Sequence, residues 1–249
     1  MFVSEQHVVD VPIYVALDVE NRRQAFELLE KLGDACRYVK VGLELYLAEG
    51  PALVEALVAR ELSVFLDLKL FDIPNTVAGA VKSVASLGVD MLTIHTLGGA
   101  TMLEAAAEAA SSRALHALSG KPLRLLGVTL LTSVDDAGIR QMGLSDDPLS
   151  AHVLRLAGTA HDAALHGVVC SGHEVAMVKT RYPALSALVP GIRLGGESKD
   201  DQARVVTPGY AVAHGADYLV VGRPITRAPD PHEALLAFLQ NLKGGSQDV

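Results

Sequence analysis

The sequence contains no tryptophan and only two cysteines, Cys36 and Cys170, among its 249 residues. Aromatic residues make up 4% of the chain, although hydrophobic residues make up 50%. A core rich in Ala, Val and Leu suits helices packed on strands better than an aromatic-rich sandwich. The two thiols are too few for a disulfide framework, and the N-terminus has neither the basic region nor the apolar run of a secretory signal. We therefore expect a cytosolic protein.

Membrane and metal signals are also missing. No uninterrupted apolar run reaches the roughly 18 residues that a membrane span requires, which predicts a soluble protein without membrane contact. The nine histidines form no H-x-x-x-H pattern, and the closest pair, His161 and His166, is five residues apart. Without such spacing or a C-x-x-C pair, we expect no structural metal.

Basic residues are outnumbered, with 21 Lys and Arg against 29 Asp and Glu and a formal net charge of −8. A surface of that sign argues against nucleic-acid binding. An anionic ligand would have to be held by a few local cationic groups and backbone amides.

A strand followed by a helix recurs along the chain. The first strand is predicted over Val11 to Asp18 and the first helix over Arg22 to Leu32. Later strands are predicted to begin at Tyr38, Ser63, Asp90, Arg124, Gly167, Ala187 and Asp217. Glycines that we expect to close helices in the left-handed conformation are Gly33, Gly88, Gly167 and Gly215.

About eight apolar strands separated by helices are typical of parallel strands covered on both faces. We predict a single (β/α)8 barrel domain over residues 1–249, with loosely ordered tails at 1–10 and 243–249. The alternative is a doubly wound open sheet. Its usual G-x-G-x-x-G is missing after the first strand, where Val-Glu-Asn follows Asp18.

The segment from Val64 to Thr76, VFLDLKLFDIPNT, places charges in an apolar strand. Side chains alternate along a strand, so Asp67 and Lys69 share one face. Asp72 follows at a strand-to-helix junction, because Pro74 cannot continue the strand and fits the first turn of a helix. A structural ion pair with Asp72 as a helix cap would explain a lone D-x-K. Three charged residues in a segment that ends in IPNT favour an active site instead.

Other predicted strands also end in polar residues, which is where (β/α)8 barrels carry their active sites. These residues are Asp18, Lys40, His95, Thr132, Ser133, Arg193, Gly222 and Arg223. Asp18 could instead cap a helix, His95 could be a hydrogen-bonded core histidine, and Thr132 and Ser133 could be turn residues. Lys40 lies between Val39 and Val41, so its ammonium needs an acid from elsewhere in the chain.

Eight motifs follow one another along the chain: ALD, VKVG, DLKLFDIPNT, LTS, GVVCS, PGIR, DDQ-x-R and VVGRPIT. In these motifs and in their order, the chain resembles the orotidine 5′-phosphate decarboxylase family nearly from end to end. The resemblance implies a homodimer of (β/α)8 barrels that converts orotidine 5′-phosphate to UMP and CO₂ without metal or cofactor. That reaction is the last step of de novo pyrimidine synthesis.

The resemblance also implies residue roles. Lys69 looks like the proton donor, with Lys40, Asp67 and Asp72 completing an array of alternating charge, and Asp67 facing the substrate carboxylate. Asp72 and Thr76 are expected to reach the neighbouring subunit's site. Implied substrate contacts are Asp18 and Lys40 for the ribose, Thr132 and Ser133 for the pyrimidine, and Arg193, Gln202, Gly222 and Arg223 for the 5′-phosphate. Thr96 and Gly172 depart from the family pattern, which bears on local packing and fine specificity.

Two alternatives remain at this point. A sister barrel enzyme, a hexulose-phosphate synthase or ketogulonate-phosphate decarboxylase, shares D-x-K-x-x-D but uses Mg²⁺ to stabilise an enediolate. A non-catalytic nucleotide-binding barrel is the alternative from another class. It would gain nothing from burying Lys40, Asp67, Lys69 and Asp72.

Overall fold

The computed structural model describes residues 11–111, 122–194 and 205–243. Its strands are β1 (Ile13–Ala16), β2 (Tyr38–Gly42), β3 (Ser63–Leu70), β4 (Met91–His95), β5 (Arg124–Val128), β6 (Gly167–Val169), β7 (Ser186–Val189) and β8 (Tyr218–Val221). Each strand pairs in parallel with the next, and β8 pairs with β1, so the eight described strands close into a barrel. The predicted (β/α)8 barrel is confirmed, and the open doubly wound sheet is wrong.

Helices follow the strands along the chain. They are α1 (Arg22–Leu32), α2 (Leu43–Glu49), α3 (Pro51–Val58), α4 (Pro74–Ala85), α5 (Gly99–Ser111), α6 (Asp136–Gln141), α7 (Leu149–Asp162), α8 (Val175–Arg181), α9 (Pro208–Ala213), α10 (Arg223–Thr226) and α11 (Pro231–Lys243). Among the residues described, no helix combines the length and apolar character needed to cross a bilayer. The predicted tails lie outside the described residues, apart from Lys243 at the end of α11.

Local sequence signals explain several helix starts. The side chain of Asn21 accepts a hydrogen bond from the backbone N–H of Gln24 and so caps α1. Pro51 and Pro74 lie in the first turns of α3 and α4, where a fixed φ and a missing N–H cost nothing. Asp72 lies in the short connection between β3 and α4, but α4 has no side-chain cap.

The buried apolar residues form two clusters. The larger cluster joins strands to helices, with Val39, Leu53 and Val81 fully buried in it. The smaller cluster draws on six strands and consists of Tyr14, Ala16, Phe65, Met91, Leu126, Leu188 and Val220. Because side chains alternate along each strand, this second set fills the barrel interior.

A polar network lies at the amino-terminal end of the barrel. The Tyr14 hydroxyl donates to Asp90 at 2.7 Å, and the Arg124 guanidinium contacts Asp90 and donates to the Tyr218 hydroxyl. Burial, and next the negative charge of Asp90, raise the pKa of Tyr14 above its usual range, so the phenol stays protonated and donates. Asp90 is 2% exposed, and these bonds satisfy a carboxylate that would otherwise be costly to bury.

Two local predictions need correction. Two helices, α2 and α3, lie between β2 and β3, whereas the recurring pattern of one strand and one helix predicted a single helix there. Gly167 was expected to close a helix, but Ala164 takes the left-handed conformation there, with φ 56°, and Gly167 belongs to β6. Gly167 is needed for another reason, since a Cβ at this position would overlap the backbone carbonyl of Ser186 in β7.

Candidate functional site

A cavity of about 410 Å³ opens at the carboxyl ends of the strands. Its floor is apolar and includes Phe65, Leu188 and Val220 from the barrel interior. Eight of the residues singled out from the sequence line it: Asp18, Lys40, Asp67, Lys69, Thr132, Arg193, Gly222 and Arg223. The topology therefore brings together side chains that are far apart in the chain, because parallel strands end at one face of a barrel.

Four of these side chains form a row of alternating charge. The Lys40 ammonium lies 3.0 Å from Asp18 Oδ1 and 3.9 Å from Asp67 Oδ2. The Lys69 ammonium donates to the same Asp67 oxygen at 2.8 Å. The side chains of Lys40 and Asp67 are only 12% and 14% exposed, whereas that of Lys69 is 32% exposed. Asp67 is thus enclosed between two ammonium groups, and Lys69 is the one more open to a ligand.

Strand β2 accounts for the position of Lys40. Its neighbours Val39 and Val41 are fully buried on the opposite face, which leaves Lys40 on the face towards the cavity. A Cβ at Gly42 would lie 3.1 Å from the Lys40 nitrogen, so the glycine leaves room for the ammonium. The acid that Lys40 requires comes from Asp18, just after β1, and from Asp67 in β3.

Strand β3 is irregular where it carries the charged pair. Its pairing with β4 shifts between Leu66 and Leu70, and Lys69 has a left-handed backbone with φ 48°. The backbone N–H of Lys69 donates to Thr93 Oγ1, and the Thr93 hydroxyl donates to Asp67 Oδ1, both at 2.9 Å. Sequence reasoning missed Thr93, whose signal was a hydroxyl inside the apolar strand MLTIH.

Two charged residues of the cavity lining were not anticipated, Glu44 and Arg227. Glu44 lies in the first turn of α2, the helix that the sequence did not reveal. Arg227 follows α10, and the motif VVGRPIT ends one residue before it.

Arg193 and Arg223 contribute guanidinium groups to the cavity after β7 and β8. Arg193 is 7% exposed and donates to the carbonyl of Ile192, and its backbone N–H donates to the Val206 carbonyl. This last bond joins the two ends of the segment that contains Gln202. Gln202 lies outside the described residues.

Three predicted site residues do not line the cavity: Asp72, Thr76 and Ser133. Asp72, Thr76 and Ser133 are all exposed. The Asp72 carboxylate accepts from the neighbouring Ile73 N–H at 2.6 Å. Ser133 follows Thr132 in a turn closed by a bond from Val134 N–H to the Leu131 carbonyl, so only Thr132 lies at the cavity.

His95, at the end of β4, is half-buried next to Phe71, with ring centroids 5.7 Å apart. Its Nδ1 accepts from the backbone N–H of Leu97. Burial, and secondly the positive charge of Lys69, lower the pKa of His95 below its usual value of 6.5. His95 is therefore neutral near pH 7.

The two departures from the family pattern have packing roles. The Thr96 hydroxyl is buried and donates to the Val128 carbonyl at 2.7 Å. A Cβ at Gly172 would overlap Val206, so the glycine allows the segment after β6 to approach the chain before α9.

Comparison with known proteins agrees with this geometry. The model of the "Orotidine 5'-phosphate decarboxylase / HUMPS family" matches residues 12–238. The chain belongs to this family. Similar relatives named orotidine 5'-phosphate decarboxylase include those of Pseudomonas entomophila (strain L48), 44% identical over 94% of this chain and 97% of the relative, and of Legionella pneumophila (strain Corby), 46% identical over 92% and 98%. The crystal structure of orotidine 5'-phosphate decarboxylase from Lactobacillus acidophilus matches with a TM-score of 0.83 and 36% identity, over 94% of this chain and 99% of that one.

Proposed function

We propose that this member of the family decarboxylates orotidine 5′-phosphate to UMP and CO₂, the last step of de novo UMP synthesis. The observation that carries the proposal is the alternating row of Asp18, Lys40, Asp67 and Lys69 in one cavity. The row places an ammonium that can protonate a carbanion next to a carboxylate that compensates its positive charge.

The reaction breaks the bond between a pyrimidine ring carbon and its carboxylate. The bonding electron pair stays on the ring carbon in an sp² orbital that the ring stabilises poorly, so the enzyme must provide electrostatic stabilisation and a proton. The Lys69 ammonium can do both. Asp67, 2.8 Å away, offsets the cost of taking that ammonium partly out of water.

Asp67 has a second role in the proposal, which is to face the substrate carboxylate. Two carboxylates in close proximity repel each other, and the repulsion disappears as CO₂ departs, so it favours the transition state over the bound substrate. The Lys40 ammonium, 3.9 Å from Asp67, limits the cost of holding the Asp67 charge in a partly buried site.

Substrate binding would use the rest of the cavity. We assign Asp18 and Lys40 to the ribose hydroxyls and Thr132 to the pyrimidine. Ser133, exposed on the same turn and outside the cavity lining, would reach the pyrimidine if that turn moved towards the bound nucleotide. Arg193, Gly222 and Arg223, together with Gln202, would hold the 5′-phosphate. Two guanidinium groups at the ends of neighbouring strands suit a dianion, and (β/α)8 barrels commonly bind phosphate after strands seven and eight.

We further propose that the enzyme is a homodimer in which Asp72 and Thr76 enter the partner's site. Both are exposed and lie outside this chain's own cavity lining. Asp72 is flanked by Phe71 and Ile73, which are 62% and 67% exposed. Large apolar side chains on either side of an acid suit a surface that another protein covers. Cys36 and Cys170 are both buried thiols, which is consistent with a reducing compartment, and we place the enzyme in the cytosol.

The second candidate function is the Mg²⁺-dependent chemistry of a hexulose-phosphate synthase or ketogulonate-phosphate decarboxylase, because the matching family model is wider than orotidine 5′-phosphate decarboxylase alone. The purified protein should consume orotidine 5′-phosphate in the presence of EDTA, followed as loss of the substrate's ultraviolet absorbance. No turnover with EDTA, and turnover of a sugar phosphate on adding Mg²⁺, would support the second candidate. Tight binding of the nucleotide without turnover would instead indicate a non-catalytic barrel.

A further inference from the structure

Thr93 is the only β4 residue opposite the irregular part of β3. Leu66 pairs with Leu92 and Leu70 pairs with Ile94, so Asp67, Leu68 and Lys69 together face the single residue Thr93. A regular parallel ladder cannot form across such a mismatch, and the extra residues of a bulge lose their usual partners. The side chain of Thr93 supplies a partner in place of the ladder.

The hydroxyl of Thr93 connects the backbone of Lys69 to the side chain of Asp67. It accepts from the Lys69 N–H and donates to Asp67 Oδ1, each at 2.9 Å. Asp67 uses its other oxygen, Oδ2, for the Lys69 ammonium at 2.8 Å. The three bonds form a closed ring that includes both the backbone N–H and the side-chain ammonium of Lys69. Asp67 and Lys69 are therefore held relative to each other through Thr93 as well as through their own contact.

The environment of Thr93 favours this role over a general packing role. Its exposure is 0%, and it does not line the cavity, so it cannot contact a bound ligand directly. An ionised carboxylate can only accept, which fixes the direction of the Thr93 hydroxyl and leaves its lone pair for the Lys69 N–H. Lys69 needs that bond, because a left-handed backbone is uncommon for a residue with a side chain.

We propose that Thr93 is a positioning residue that sets the geometry of the Asp67–Lys69 pair for proton transfer. The inference rests on the proposed function, in which Lys69 gives its proton to the ring carbon. Proton transfer requires the donor within hydrogen-bond reach of the reacting atom, so a small displacement of Lys69 slows the chemical step. Substrate affinity should change little, because Thr93 has no contact with the cavity.

The test compares three variants of the full-length protein with orotidine 5′-phosphate as substrate. Thr93→Val keeps the shape but removes the hydroxyl, and Thr93→Ser keeps the hydroxyl. Thr129→Val is the matched control, because Thr129 is as fully buried as Thr93. Its hydroxyl donates to the Val169 carbonyl at 2.9 Å, and that carbonyl also accepts from the Thr129 backbone N–H, a bond that the valine variant retains.

We expect Thr93→Val to lower kcat about tenfold or more with KM within about threefold of wild type, because hydrogen bonds to charged groups have effects of that size. Thr93→Ser and Thr129→Val should both keep kcat within about threefold. A role for Thr93 limited to stability would lower the melting temperature of Thr93→Val and leave its kcat and KM unchanged. Full kcat in Thr93→Val, equal loss in Thr93→Ser, or equal loss in Thr129→Val would overturn the inference.

A crystal structure of Thr93→Val separates this inference from the proposed function. We expect the left-handed φ of Lys69 or its 2.8 Å contact with Asp67 to be lost in Thr93→Val and kept in Thr93→Ser. If both features persist in Thr93→Val, the inference is wrong whatever the wild-type activity. If wild-type protein does not decarboxylate the nucleotide, the proposed function is wrong, and the two structures still decide whether Thr93 positions the pair.

Discussion

Lys69 differs from the other described non-glycine residues that have positive φ. Glu61 and Ala164 lie in turns after helices, where the left-handed conformation is common, whereas Lys69 lies inside β3. A residue held in a sparsely populated backbone conformation costs about 1 to 3 kcal/mol and persists only where its surroundings support it. Such residues concentrate at functional sites, which agrees with the position of Lys69 in the cavity.

The charge of Lys69 should be detectable at His95. Because Lys69 is the second cause of the lowered His95 pKa, Lys69→Ala should raise this pKa, while burial, the larger cause, should keep it below 6.5. NMR titration of the His95 ring protons measures the His95 pKa in both proteins. Lys82→Ala, on the exposed face of α4, is the control and should leave the His95 pKa in place. A His95 pKa that falls or stays constant in Lys69→Ala would contradict the expectation.

The same shift fixes the sign of one pH effect on stability. His95 takes up a proton at higher pH in the unfolded chain than in the folded one. Its contribution to the free energy of unfolding is therefore complete above about pH 6.5 and decreases as the pH falls from there through the lowered pKa of the folded state.

Arg223 should act through the substrate's phosphate. A charge-assisted contact is worth roughly 1.5 to 3 kcal/mol, so Arg223→Ala should lower kcat/KM for orotidine 5′-phosphate about tenfold or more. With orotidine, which has no phosphate, the penalty should nearly vanish. Arg23→Ala is the control, since Arg23 is 73% exposed and pairs with Glu27 on α1. Equal loss for both substrates would mean that Arg223 supports the barrel or the chemistry.

At the scale of elements, two segments on the cavity rim expose apolar side chains. Leu43 and Leu47 of α2 are 48% and 78% exposed, and Phe71 and Ile73 lie in the connection from β3 to α4. Both segments follow neighbouring strands, so they lie on the same side of the barrel mouth. A second copy of this chain that covered both segments would bring its own connection between β3 and α4 close to this cavity.

The close approach of β6 and β7 at Gly167 leads to a prediction about stability. Gly167→Ala should lower the free energy of unfolding by about 1 to 3 kcal/mol, because the new methyl group would overlap the Ser186 carbonyl on β7. Gly79→Ala is the matched control within α4, where a Cβ would meet nothing within 4 Å. It should raise the free energy of unfolding by about 0.5 to 1 kcal/mol. Urea unfolding measures both, and a neutral Gly167→Ala would show that β6 and β7 can separate without cost.

For the whole molecule, the distribution of charge is uneven. The formal net charge is −8, yet the cavity lining contains five cationic side chains, Lys40, Lys69, Arg193, Arg223 and Arg227, against three acidic ones, Asp18, Glu44 and Asp67. An acidic surface repels anions in general, whereas a locally cationic cleft attracts a small anion that fits it. This pattern suits a nucleotide monophosphate better than a nucleic acid.

Sharing of sites between subunits can be tested by mixing variants. Lys69→Ala and Asp72→Ala proteins should each be inactive, but in a heterodimer one site carries both lesions and the other carries neither. Random subunit exchange should restore about a quarter of wild-type activity, since half of the dimers are mixed and each has one intact site. Lys69→Ala mixed with Lys40→Ala is the control, because both side chains belong to one chain's cavity and no intact site can form. No recovery after demonstrated exchange would count against a shared site.

The sequence by itself determined the barrel and most of the charged side chains that line the cavity. Apolar strands alternating with helices leave few arrangements, and parallel strands in a barrel end at one face, so strand order alone assigns Asp18, Lys40 and Lys69 to one site. Tertiary structure alone decided what depends on contacts between strands. Thr93 matters because β3 and β4 lose register beside it, and Gly167 because Ser186 approaches it from β7. Such distances depend on packing between segments that are remote in the chain, and no local pattern encodes them.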